Sequence, residues 1–110
     1  MEEEKIGRRE MKKIQSRKAI LDSAAALFQS RGLEDVAIAD IMNGADLGIG
    51  TFYNYFDSKD DVLMELLGRI MQELGERVRV LSEEQRPVTE ILRELLLAAA
   101  MLLGKNRYVL

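Results

Sequence analysis

Apolar residues recur along most of this chain three and four apart, the spacing of helices facing a core, and almost nowhere in alternation. Ile20, Ala24, Leu27 and Phe28 make one such stripe. It predicts a first helix capped by the Ser16 hydroxyl and running to about Arg31, with Gly32 ending it in a left-handed conformation. Ile38, Ile41, Met42 and Ala45 give a second, shorter helix. Asp46-Leu47-Gly48 interrupts the pattern; Gly48 is expected to take the backbone conformation that other residues resist, and Leu47 to pin the turn onto the core. Ile49 to Phe56 follows as a third helix, Phe52 and Phe56 facing inward and Tyr53 on the flank. Two helices joined by a short glycine-containing turn form the helix-turn-helix pattern, which sets its second helix in the major groove of DNA.

The pattern continues. Ser58-Lys59-Asp60-Asp61 reads as a variant capping box opening a fourth helix. Leu63, Leu66, Leu67, Ile70, Met71 and Leu74 carry that helix to about Leu81. Gly68 and Gly75 lie seven apart, on nearly one face, where each costs about 1 kcal/mol relative to alanine; either they soften the helix or, as is expected, a neighbouring helix approaches closely there. After the polar loop 82–86, Pro87 opens a fifth helix to about Leu103. Its apolar surface, with Ile91, Leu92, Leu95, Leu96, Leu97, Met101, Leu102 and Leu103, wraps past a single stripe and needs cover on more than one side.

Composition narrows the chemistry. The 110 residues suit one small domain, and 47% hydrophobic with only 5% aromatic favours aliphatic helix packing. There is no cysteine and no histidine, so thiol nucleophiles, thiolate metal sites and the usual neutral-pH base are missing. Gly44, Gly48 and Gly50 are spaced like a phosphate loop, but no lysine follows and no strand precedes them. No catalytic residue, metal ligand or cofactor is expected. The N-terminus lacks the apolar segment of a secretory signal, and the nine-residue run Leu95 to Leu103 is too short for a bilayer, so the expected location is the cytoplasm. The net charge of −3 counts against a nucleic-acid partner. Residues 5–18 count for one, with seven basic side chains against the single carboxylate of Glu10, a local charge of +6. Residues 1–15 are expected to be a mobile basic arm that could partly extend the first helix, either a solvated tail or, with Arg8, Arg9, Lys12 and Lys13 as candidates, a contact to phosphates or a minor groove.

Residues 16–61 resemble the N-terminal DNA-binding domain of TetR-type transcriptional regulators. The matching residues are the Ala-Ile-Leu-Asp-Ser-Ala-Ala run from Ala19, Leu27-Phe28-x-x-Arg31-Gly32, Ile38-x-x-Ile41, and Gly50-Thr51-Phe52-Tyr53-x-Tyr55-Phe56 followed by Ser58-Lys59. The resemblance implies an all-α fold: a three-helix, homeodomain-like helix-turn-helix domain over 16–61, then 62–110 as the truncated start of an effector and dimerisation domain, the fourth helix shared between them. It implies a homodimer on a palindromic operator in double-stranded DNA, repressing transcription, with a small-molecule effector if the full regulatory domain exists.

By the same resemblance Ile49, Gly50 and Tyr53 stand nearest the bases. Thr51, Asn54, Tyr55 and Lys59 carry over as phosphate contacts, and Ala37 and Ala39 open the second helix beside the backbone. Ile49 and Gly50 have no bidentate partner for a base and offer a thymine methyl contact and close backbone approach. Four positions depart from the family pattern: Ala37 for Ser or Thr, Met42 for Ala, Asp46 for Gly and Gly48 for Ser. Together they make a less polar DNA face. A rival reading is an interaction module that pairs through the fourth and fifth helices and binds DNA weakly.

Overall fold

The computed structural model describes residues 7–109. Its elements are α1 (Arg8–Arg31), α2 (Ile38–Gly44), a 3₁₀ helix (Ile49–Asn54), α3 (Lys59–Ser82), α4 (Val88–Lys105) and a short 3₁₀ turn (Arg107–Val109). The chain is all-α, with no strand among the described residues. It divides into two compact units, with the boundary inside α3 after Val62.

In the first unit α1 packs on α2, and α2 on the 3₁₀ helix. Ile20, Leu21, Ala24 and Phe28 from α1 meet Val36, Ile41, Met42, Phe52, Phe56 and Val62 in a core from which water is almost excluded. This stripe is the one the sequence predicts, apart from Leu27, which is half-buried while Leu21 is buried. Gly32 closes α1 at φ 89°, its N–H donating to the Phe28 carbonyl; the positive φ is what selects glycine there.

α1 does not begin at Ser16. It starts at Arg8, with Gly7 as N-cap and the Met11 N–H donating to the Gly7 carbonyl at 2.9 Å. The expected arm is therefore helical from Arg8 onward, and its first residues, 1–6, lie outside the described residues. Arg, Glu, Met, Lys and Gln are all good helix formers, and no breaker separates Gly7 from Ser16.

The turn after α2 also differs from expectation. Gly48 has an ordinary φ of −71°, and the positive-φ residue is Asp46 at 61°. The Leu47 N–H reaches back to the Met42 carbonyl and the Asp46 N–H to the Asn43 carbonyl, a Schellman motif with Asp46 in its left-handed position. Aspartate is one of the few residues besides glycine that tolerates that conformation.

In the second unit Leu81, Ala98 and Leu102 are buried. Arg86 gathers the carboxylates of Glu84 (3.0 Å), Glu90 (3.8 Å) and Glu94 (2.7 Å) and so ties the loop 83–87 to α4. Most of the apolar surface of α4 stays open: Val88, Leu92, Leu96, Leu97 and Met101 are all more than half exposed. Gly68 and Gly75 do not mark a close approach, because a Cβ built on either meets nothing within 4 Å.

Gly44 is where two elements do meet. A Cβ there would collide with the Oγ of Ser23, which donates to the Ile41 carbonyl at 2.8 Å. These glycines should respond to alanine in opposite ways. Gly68→Ala and Gly75→Ala should each raise stability by about 1 kcal/mol in urea unfolding, since only helix propensity changes; a decrease would mean the space is occupied. Gly44→Ala should destabilise despite its propensity gain, and adding Ser23→Ala should recover part of the stability. Additive effects of the two substitutions would contradict the contact.

Candidate nucleic-acid interface

The 3₁₀ helix is held from one side. Phe52 and Phe56 are buried with ring centroids 5.7 Å apart, and the Phe56 N–H donates to the Phe52 carbonyl at 3.0 Å. The segment is short and tightly wound because it contains Gly50, β-branched Ile49 and Thr51, and a run of aromatics, none of which favours a regular α-helix. Its three-residue turn nevertheless keeps the inward direction that sequence spacing predicts for the two phenylalanines.

The rest of the helix is open. Ile49 is 52% exposed and Tyr53 61%, with Gly50 and Asn54 exposed beside them. Tyr53 stands edge-on to Phe52 at 5.1 Å, so a buried ring supports an exposed one. Thr51 and Tyr55 are half-buried.

At the start of α2, Ala37 is exposed and Ala39 half-buried. Alanine offers no cap, but the Asp40 carboxylate accepts from the Ala37 N–H at 3.0 Å and pairs with Arg31 at 3.1 Å. Half of a capping box is thereby restored from the other end.

Lys59 is engaged inward. Its ammonium donates to the carbonyls of Val36 (2.7 Å) and Leu33 (3.1 Å), tying the start of α3 to the loop before α2 and leaving one of its three N–H groups for a phosphate. Next to it the Ser58 Oγ accepts from the Asp61 N–H at 3.3 Å, the cap expected from sequence, while the Asp61 carboxylate accepts from the N–H of Asp57, one residue before the cap, at 3.2 Å.

The exposed cations lie elsewhere. Arg8, Arg9, Lys12 and Lys13, on the first turns of α1, line an open groove of about 740 Å³ together with Thr51 and Tyr55 of the 3₁₀ helix region. Four basic side chains thus adjoin two of the hydroxyl groups assigned to phosphate. Among the described residues no group of three or more acidic side chains could hold a metal ion.

Sequence reasoning misses Arg17. Its guanidinium lies 4.5 Å from the centroid of the Phe56 ring and donates to the Tyr55 carbonyl at 3.2 Å. A signal for it exists: Arg17 falls on the same helical face as Ile20, Leu21, Ala24 and Phe28, and a cation on a buried stripe implies a partner.

Comparison with known proteins matches part of the sequence to a family. The family described as "Bacterial regulatory proteins, tetR family" matches residues 20–66. The HTH-type transcriptional regulator EthR of Mycobacterium tuberculosis is 38% identical over 65 residues, covering 59% of this chain and 30% of that protein. The HTH-type transcriptional repressor KstR2 of the same species is 34% identical over 80 residues, 73% of this chain and 40% of that protein. The uncharacterized HTH-type transcriptional regulator YdgC of Bacillus subtilis is 36% identical over 72 residues, 66% of this chain and 35% of that protein. The chain therefore spans less than half the length of these relatives, and no solved structure matches it. Residues 20–66 are thus a helix-turn-helix domain of the tetR family of bacterial regulatory proteins.

Proposed function

We propose that this chain is a sequence-specific DNA-binding transcriptional regulator, acting as a repressor on a palindromic operator as a homodimer. The observation that carries the reading is the two-sided 3₁₀ helix: Phe52 and Phe56 buried, Ile49, Gly50, Tyr53 and Asn54 presented to solvent beside a groove bearing four cations. The Ile49 side chain suits a thymine methyl, Gly50 lets the backbone approach closely, and Tyr53 reaches base edges or sugar. Thr51, Asn54 and Tyr55 supply neutral donors for phosphates, while Arg8, Arg9, Lys12 and Lys13 supply the charge. Lys59 contributes mainly by fixing the loop before α2, since two of its donors are already used.

The repressor sense follows the name of KstR2, a transcriptional repressor. Residues 16–61 would form the reading domain, and 62–110 the beginning of the part that dimerises and takes a small-molecule effector. The open apolar face of α4 supports self-association, and by itself also supports the second reading, an interaction module with weak DNA binding.

Selection of the purified chain against random duplexes, at low and physiological salt, tests the reading. Enrichment of a palindrome that survives the higher salt is expected; attraction that vanishes with salt favours the interaction module. With the enriched duplex, Tyr53→Ala should cost about tenfold or more in affinity without changing self-association. Changing Arg8, Arg9, Lys12 and Lys13 to glutamine should flatten the slope of log K against log salt by about 0.9 for each phosphate that is no longer neutralised. An unchanged slope would remove these four residues from the interface.

A further inference from the structure

We propose that Arg17 is a positioning residue for DNA reading, fixing the end of the 3₁₀ helix through its stacking on Phe56 and its hydrogen bond to Tyr55. The proposal rests on the reading of that helix as the DNA-facing element. Arg17 sits on α1, nine residues after its first residue, and is half-buried on the face that carries the core stripe. Its guanidinium carbon is 4.5 Å from the Phe56 ring centroid, and one terminal nitrogen donates to the Tyr55 carbonyl at 3.2 Å. A planar guanidinium suits both at once, its carbon over the ring and a terminal N–H on the carbonyl, in a fixed fork that a flexible ammonium lacks.

The two interactions fall on consecutive residues just past the last residue of the 3₁₀ helix, Asn54, where backbone carbonyls lack partners within the helix. From there a chain of rings leads outward. Phe56 packs on Phe52 at 5.7 Å, and Phe52 carries Tyr53 edge-on at 5.1 Å. Arg17 therefore sets the orientation of Tyr53 through two buried rings without itself lying among the exposed groups. A helix this short has little stability of its own, so its direction depends on such anchors.

The role differs from that of a phosphate ligand in what it controls. A phosphate contact strengthens binding to every duplex alike and steepens the salt dependence. A positioning residue changes the preference for the right sequence and leaves the salt dependence alone.

The test uses the full chain with Arg17→Lys and Arg17→Gln, the enriched duplex, a scrambled duplex, and a salt series well below the melting temperature. Arg17→Lys keeps the charge but lacks the planar fork. Both variants should lose about tenfold in preference for the enriched duplex, with affinity for the scrambled duplex and the salt slope of Arg17→Lys unchanged. In the free chain, amide hydrogen exchange at Tyr55 and Phe56 should accelerate while the amides of Ile20 and Ala24 keep their protection. Equal weakening on both duplexes with a flatter slope in Arg17→Gln, rescued by Arg17→Lys, would make Arg17 a phosphate ligand and overturn the proposal. A lowered melting temperature with the preference unchanged would make it merely structural, which overturns it too. If the unaltered chain prefers no sequence, the DNA reading falls and takes this proposal with it; the exchange experiment, which needs no DNA, still decides whether Arg17 holds the helix.

Discussion

Burial of Phe52 and Phe56 is the constraint on which the first unit depends. Their rings give a six-residue 3₁₀ helix the tertiary anchorage that its own hydrogen bonds do not supply. With Phe52 and Phe56 buried, Gly50, Tyr53 and Asn54 turn to solvent, while Ile49, on the side of Phe52 in a three-residue turn, is exposed because it opens the helix. Side chains of very different chemistry thus share one presentation surface, and the hydrophobic effect sets its orientation.

Around that anchor the chain directs its polar groups to backbone ends. Lys59 ties the Leu33 and Val36 carbonyls, Asp40 takes the Ala37 N–H, and Arg17 takes the Tyr55 carbonyl. A small domain with short helices has many such ends relative to its core, and each is costly to leave unpaired. Two cations, Lys59 and Arg17, are therefore partly internal, while Arg8, Arg9, Lys12 and Lys13 stand exposed on the first turns of α1. Seven of the 16 basic side chains fall within residues 5–18, which gives an acidic chain, net charge −3, a basic local segment.

Much of this is legible in the sequence where helical period acts alone. The stripe Ile20, Ala24 and Phe28 and the pair Phe52 and Phe56 are buried as their spacing predicts. What period cannot carry is the choice between Gly48 and Asp46 for the positive-φ position, because a glycine nearby masks an aspartate that tolerates the same backbone. The start of α1 escapes sequence reading for a related reason: Ser16 is a good cap, but the charged helix formers before it continue the helix back to Gly7. The carbonyl partners of Lys59 lie 23 and 26 residues away, a separation at which local pattern is silent. Gly68 and Gly75 have the spacing of packing sites and meet open space, since spacing alone does not say whether anything lies opposite.

The most direct measurement is a nuclear magnetic resonance titration of the isotopically labelled chain with the enriched duplex. Shift changes and line broadening should concentrate on the amides of Ile49, Gly50, Tyr53 and Asn54 and on the first two turns of α1, with α4 unmoved by DNA at constant protein concentration. Perturbation centred on α4, with the 3₁₀ helix silent, would contradict the assignment of the DNA-reading surface.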